Sequence, residues 1–166
     1  MKYLKKLICF LFLLFLITSA CTTTKNITKI SSEQLTQQEI QALNMALDDE
    51  YKARATYEKV IQDFGGKRPF VNIIDSEEQH IEMLKTLYHK YDLVVPKDKH
   101  KNEILGFPSL KQACAAGVDA EIENAELYDN LLKIVNKQDI KIIFHQLQHA
   151  SQQNHLPAFE QCAGLN

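Results

Sequence analysis

The chain has 166 residues, with 19 Lys and Arg against 21 Asp and Glu for a formal charge of −2, four cysteines and no tryptophan. That balance gives no basic surface for a nucleic-acid partner. The length suits one domain with a core of its own.

Lys2, Lys5 and Lys6 precede an apolar run over residues 7–17 and then Thr18, Ser19, Ala20 and Cys21, the layout of a signal segment with a small-residue cleavage site. The run is too short to span a bilayer. "ITSAC" resembles a bacterial lipobox, which implies that residues 1–20 are removed and that Cys21 carries acyl chains such as palmitate. The expected location is the bacterial cell envelope, outside the cytoplasm, with the membrane as partner through that anchor. Loss of three lysines and no acid with this segment takes the formal charge from −2 to −5. Residues 21–36, rich in Thr, Ser, Lys, Asn and Gln, read as a lipidated tether, and 37–166 as the folded domain.

Helical periodicity dominates that domain. Thr36 and Glu39 form a capping box, with Leu35 and Ile40 placed as a hydrophobic staple, and Gly65-Gly66 ends the first helix. Pro69 suits the first turn of a second helix reaching about Tyr91. Ser109 with Gln112 opens a third helix to about Val135, and Asp139 is expected to cap a fourth that ends near Cys162. Between the second and third helices, residues 92–108 carry the charge run "KDKHKNE", read as a solvated loop. Extended, that segment reaches roughly 55 Å against about 35 Å for such a helix. It therefore allows two antiparallel hairpins joined by a long crossover, an all-α four-helix bundle.

Glu50 in "EYKARATY" and Glu121 in "EIENAELY" each precede a tyrosine, Tyr57 or Tyr128, by seven residues, and each lies in the apolar stripe of its helix. Buried carboxylates require a proton or a cation. "EEQH" places Glu77 and His80 on one inward face of the second helix, and "QQNH" places Gln152 and His155 similarly on the fourth. Carboxylates mixed with imidazoles suit iron or manganese, and zinc as well. Pro157 is expected to bend the helix just after His155. Cys114 and Cys162 lie seven residues from Glu121 and His155 in matching directions, so the spacing predicts a disulfide between them; the alternative is two separate small core residues. His89, His100, His145, His149, Glu78, Glu82, Glu123 and Glu126 read as solvated.

A Glu from each of two helices with Glu-x-x-His from the others is the ligand pattern of ferritin-like di-iron carboxylate proteins. More narrowly, "EYKARATY", "IIDSEEQHIEML" and "ASQQNHLPAF" resemble a rubrerythrin-related bacterial and archaeal ferritin-like family, the domain of unknown function numbered twenty-two hundred and two. The resemblance implies a ferritin-like bundle with metal ligands Glu50, Glu77, His80, Glu121 and His155, and Gln152 as a sixth candidate where the pattern has its fourth Glu. It makes Glu77 and Glu121 the bridging or chelating carboxylates. Tyr57, Tyr128 and Asn124 are expected behind the ligands. The implied cofactor is iron, two ions per chain, with manganese or zinc as substitutes. The implied activity is oxidation of Fe(II) with a small oxidant, peroxide or dioxygen; the alternatives are metal sequestration without turnover and a non-catalytic bundle acting as a binding or structural module. There is no rubredoxin-type cysteine knuckle, and a dimer is compatible with a tethered domain.

Overall fold

A computed structural model describes residues 34–165; the signal segment, Cys21 and most of the tether lie outside the described residues. Four helical rods make a four-helix bundle: α1 (Gln37–Phe64), α2 (Phe70–Lys90), α3 (Leu110–Ile134), and a composite of α4 (Gln138–Ala150), a π-helical turn (Ser151–His155) and α5 (Leu156–Ala163). None of the helices among the described residues is long and apolar enough to cross a membrane.

Local chemistry sets the helix ends. Thr36 accepts the Glu39 N–H and the Glu39 side chain accepts from the Thr36 N–H, the reciprocal capping box. Gly65, at φ 76°, stops α1 in a conformation that side chains disfavour. Ser109 caps α3 through the Gln112 N–H. The fourth rod differs from expectation at its start, where Lys137 and not Asp139 is the capping residue. Asp139 sits in the first turn and accepts from Tyr91 Oη at 2.8 Å and Lys90 Nζ at 2.7 Å, tying that turn to the end of α2. Glu39 has a second task as well: buried, it accepts the Asn136 and Lys137 N–H groups at 2.9 and 3.2 Å, pinning the turn between α3 and α4 to the start of α1.

Cross-bundle pairs give the helix directions. Asn44 meets Tyr88 and Glu50 meets His80, so α1 and α2 are antiparallel. Tyr57 meets Glu121 and Glu50 meets Tyr128, so α1 and α3 are antiparallel too. Lys90 meets Asp139 while Ser76 meets His155, which runs α2 against the fourth rod. Between α2 and α3 the crossover does not float. Arg54 on α1 clamps Asp98 at 2.7 Å, and the Tyr51 hydroxyl donates to the Pro96 carbonyl at 3.4 Å. His100, expected in solvent, is half-buried with Nε2 3.0 Å from Asp48, because the charged run returns along α1 and finds its acids there.

Two apolar clusters fill the bundle. One gathers around Leu43, Leu47, Leu84, Tyr88 and Phe144. The other gathers around Tyr57, Phe70, Val118 and Phe159 and reaches the Cys114–Cys162 disulfide, whose Cα atoms are 5.6 Å apart, within the normal span for such a bridge. In the second cluster the Phe159 ring lies so close to α3 that a Cβ on Gly117 would sit 2.5 Å from it. Gly117 is thus the residue that lets the ring pack between α1 and α3. Between the two oily halves lies a layer of buried carboxylates and imidazoles.

Candidate metal centre

Glu50 comes from the middle of α1, Glu77 and His80 from one face of α2, Glu121 from the middle of α3, and His155 from the last residue of the π-helical turn. All five are buried, none more than 7 % exposed. Their donor atoms form two groups, Glu50 with Glu77 and His80, and Glu77 with Glu121 and His155, each group lying within 4.8 Å. Glu77 belongs to both. Its Oε2 is 3.0 Å from His80 Nδ1, and its Oε1 is 3.2 Å from His155 Nδ1. Glu50 Oε2 closes the first group at 3.1 Å from His80 Nδ1, and Glu121 Oε1 closes the second at 3.5 Å from His155 Nδ1. Glu121, expected as a bridging or chelating carboxylate, belongs to the His155 group only, which it reaches from α3.

Behind these donors the two tyrosines cross the bundle. Tyr57 Oη donates to Glu121 Oε1 and Tyr128 Oη to Glu50 Oε1, both at 2.7 Å. Burial first, and then the carboxylates beside them, push both phenols well above their ordinary value, so they remain donors. Ser151 adds a further bond to Glu121, donating from Oγ to Oε2 at 2.6 Å. Glu121 is therefore held at both oxygens by hydroxyls, whereas Glu50 is held by a hydroxyl at one. Glu121 thus has less freedom than Glu50 to change how it binds a cation. Ser76 Oγ lies 3.2 Å from His80 Nε2 and 3.1 Å from His155 Nε2, and the two rings stack 5.6 Å apart.

Gln152 is exposed and takes no part in this layer. The cause is the π-helical turn: the Leu156 N–H bonds to the Ser151 carbonyl, five residues back. Pro157 has no N–H for the Gln153 carbonyl, and a regular turn would press its ring onto that carbonyl. Widening by one residue, at the place where a bend was expected, accommodates the proline. It also rotates the preceding residues about the axis, since each residue is worth about 100°. Gln152 turns outward and Ser151 turns in. From this rod a hydroxyl, not the Gln152 amide, therefore meets the layer.

Asn124 is buried and donates Nδ2 to Asp49 Oδ2 at 2.8 Å across the gap between α1 and α3. Its Oδ1 has no hydrogen-bond partner among the described residues. Asp49, Asn124 and the five central residues line one cavity of about 50 Å³. Thr56, Ala53, Ala116, Gly117 and Ala120 line it as well, and these small side chains on α1 and α3 leave the narrow approach. Space of that size admits water-sized molecules, with a liquid water occupying about 30 Å³.

Electrostatics follow from burial and proximity. Burial works against the charged form of His80, but Glu50 and Glu77 outweigh it and lift the imidazole to about 10. Burial likewise opposes His155, which Glu121 and Glu77 raise to about 9. Glu77 would be raised by burial, yet His155 and His80 hold it below its ordinary value, whereas burial pushes Glu50 up to about 7. Without metal, protons are the cations that make the layer tolerable. A folded-state pKa raised above the unfolded one stabilises the fold below the unfolded value and stops doing so as pH passes the folded one. For the histidines the contribution is complete below 6.5 and lost as pH rises through about 9 to 10. Glu50 acts in the same direction as pH passes about 7. Thermal melts of chelated protein should therefore show stability falling from near-neutral pH toward pH 10. Metal loading should offset that fall, because its ligands bind deprotonated.

The donor set suits a metal. Three carboxylates and two imidazoles, arranged as two groups about a shared carboxylate, fit hard or borderline divalent ions. The unpartnered Asn124 Oδ1 in the same cavity is a further oxygen donor. Ser76 and the inward turn of Ser151 were not anticipated from the sequence. Ser76 carried a usable signal, lying four residues before His80 on the same helical face.

A family model described as "Uncharacterized protein domain (DUF2202)" matches residues 39–165. No curated protein matches the chain. Among solved structures, the crystal structure of a hypothetical protein from Methanococcus jannaschii DSM 2661 is similar at 21% identity and a TM-score of 0.71, over 79% of this chain and 82% of that one. At that identity the likeness is one of fold.

Proposed function

The chain belongs to the DUF2202 family of uncharacterized protein domains, and from its buried carboxylate and imidazole layer we propose a ferritin-like, membrane-anchored protein that holds two iron ions and oxidises Fe(II) while reducing peroxide or dioxygen. The observation that carries this reading is Glu77, whose two oxygens face two separate histidines, each histidine with a carboxylate of its own. Glu50, Glu77 and His80 would hold one ion, and Glu77, Glu121 and His155 the other. Manganese or zinc would fit the same donors. The lipobox-like "ITSAC" supports placement at the cell envelope.

Bound iron would supply the electrons and the electrophilic position for the oxidant. The chain's residues do the rest. Tyr57, Tyr128 and Ser151 hold Glu121 and Glu50 in place from behind. The cavity of about 50 Å³ that Ala53, Ala120 and Leu147 help to line limits bulk water while a small oxidant fits. Glu50, held by a hydroxyl at one oxygen, is the carboxylate with room to alter its binding as charge changes.

A second reading, sequestration without turnover, is favoured by the fourth rod bringing the neutral Ser151 hydroxyl, and no carboxylate, to the layer. One experiment separates the two. Purified protein is loaded anaerobically with Fe(II), its metal content is measured, and peroxide-dependent oxidation is then followed by stopped-flow absorbance. The expected result is two ions per chain, one for each group, with oxidation far faster than for Fe(II) free in buffer. Uptake without accelerated oxidation would leave a store. No uptake of iron or manganese would leave only a helical binding or structural module.

A further inference from the structure

The two metal-facing imidazoles turn their other nitrogens toward one atom. His80 and His155 present Nδ1 to the carboxylates, and their Nε2 atoms lie 3.2 and 3.1 Å from the same Ser76 hydroxyl. We propose that Ser76 is a shared positioning residue, a single hydroxyl that sets the ring orientation and tautomer of both histidines and so links the two halves of the centre. This inference rests on the metal reading above for its consequence, though not for its geometry.

A ligating histidine generally donates its second N–H to an outer partner, which fixes the tautomer and turns the lone pair onto the metal. Separate partners would let each ring adjust alone. Here both rings depend on one oxygen that has two lone pairs and one proton. With a metal on each Nδ1, or with both rings fully protonated against the carboxylates, both Nε2 atoms carry hydrogen, and Ser76 Oγ can accept from both at once. A ring that turns draws on the same oxygen that holds the other. A change at one histidine thus reaches its neighbour through Ser76. The position in the chain permits it: Ser76 lies four residues before His80 on α2, where the stacked His155 ring from the fourth rod comes within reach.

The test uses the folded protein and Ser76→Ala, with Ser76→Thr as the variant that keeps the hydroxyl. Nitrogen-15 NMR of the histidine rings in metal-free wild type should show an exchange-protected Nε2–H on both His80 and His155. Both resonances should shift in Ser76→Ala and return toward wild type in Ser76→Thr, with helicity unchanged by circular dichroism. In cobalt(II) titrations followed by visible absorption, both binding steps should weaken about 10- to 100-fold in Ser76→Ala, the range typical for outer partners of metal ligands. A shift confined to one ring, or weakening of one step alone, would overturn the shared role. Protection missing from either Nε2–H in wild type would overturn it without any variant. If wild type binds no cobalt, iron or manganese, the metal reading fails, and the ring spectra still decide the bridge.

Discussion

Replacing Glu77 by alanine is expected to abolish tight metal binding at both positions, whereas Glu50→Ala or Glu121→Ala removes one position and leaves the other. The reason is geometric. Glu77 Oε2 serves the His80 side and Oε1 the His155 side, at 3.0 and 3.2 Å from the two Nδ1 atoms. A donor common to both groups, once lost, leaves each with one carboxylate and one imidazole. The loss in affinity should exceed the roughly 10- to 100-fold associated with outer partners of metal ligands. Elemental analysis after anaerobic loading reads the stoichiometry, and manganese(II) titration by electron paramagnetic resonance reads the affinity. Metal-free Glu77→Ala should retain wild-type helicity, since the apolar clusters on either side of the layer remain in place. Equal uptake by the Glu77 and Glu50 variants would contradict the shared carboxylate.

The second large effect concerns the far end of the bundle. The Cys114–Cys162 bridge closes a loop of 48 residues. In the chain-entropy model a loop of that length stabilises the fold by about 4 kcal/mol, by confining the unfolded chain. Cys114→Ala with Cys162→Ala should therefore lower the melting temperature by roughly 10 to 20 °C for a domain of this size. The effect should also reach the centre, because Phe159 lies three residues before Cys162, packs on Tyr57 at 5.3 Å between ring centroids, and Tyr57 holds Glu121. Differential scanning calorimetry with and without reductant reads the first consequence. Metal affinity of the second group, compared with that of the first, reads the other. A melting point within about 3 °C of wild type would show that the native packing carries this end without the bridge.

Much of this architecture was written locally. The capping box at Thr36 and Glu39, the Gly65 stop and the Ser109 cap depend on contacts within one helical turn, so short stretches of chain specify them. The inward faces of Glu50, Glu77, His80, Glu121 and His155 were equally legible, because helical spacing alone places each among apolar neighbours. Seven-residue spacing put Tyr57 on the face of Glu50 and Tyr128 on that of Glu121, but the bonds cross between helices, Tyr57 to Glu121 and Tyr128 to Glu50. Glu39 shows where such reading stops: its cap is local, but its bonds to the Asn136 and Lys137 N–H groups join residues nearly a hundred positions apart. His100 and Asp98 looked solvated for the same reason, as their partners Asp48 and Arg54 lie on another element.

The sequence by itself determined four amphipathic rods, the long connection between the second and third, and the set of acids and imidazoles that must share an interior, because helical periodicity, helix caps and the cost of burying charge all act on nearby residues. The tertiary structure decided which of those groups meet. It made Glu77 common to both groups, confined Glu121 to one, and brought both imidazoles onto the Ser76 hydroxyl. It also turned Gln152 out and Ser151 in, through a widened turn that relieves Pro157. Those outcomes depend on the rotation and depth of one rod against another, which a single helix does not encode.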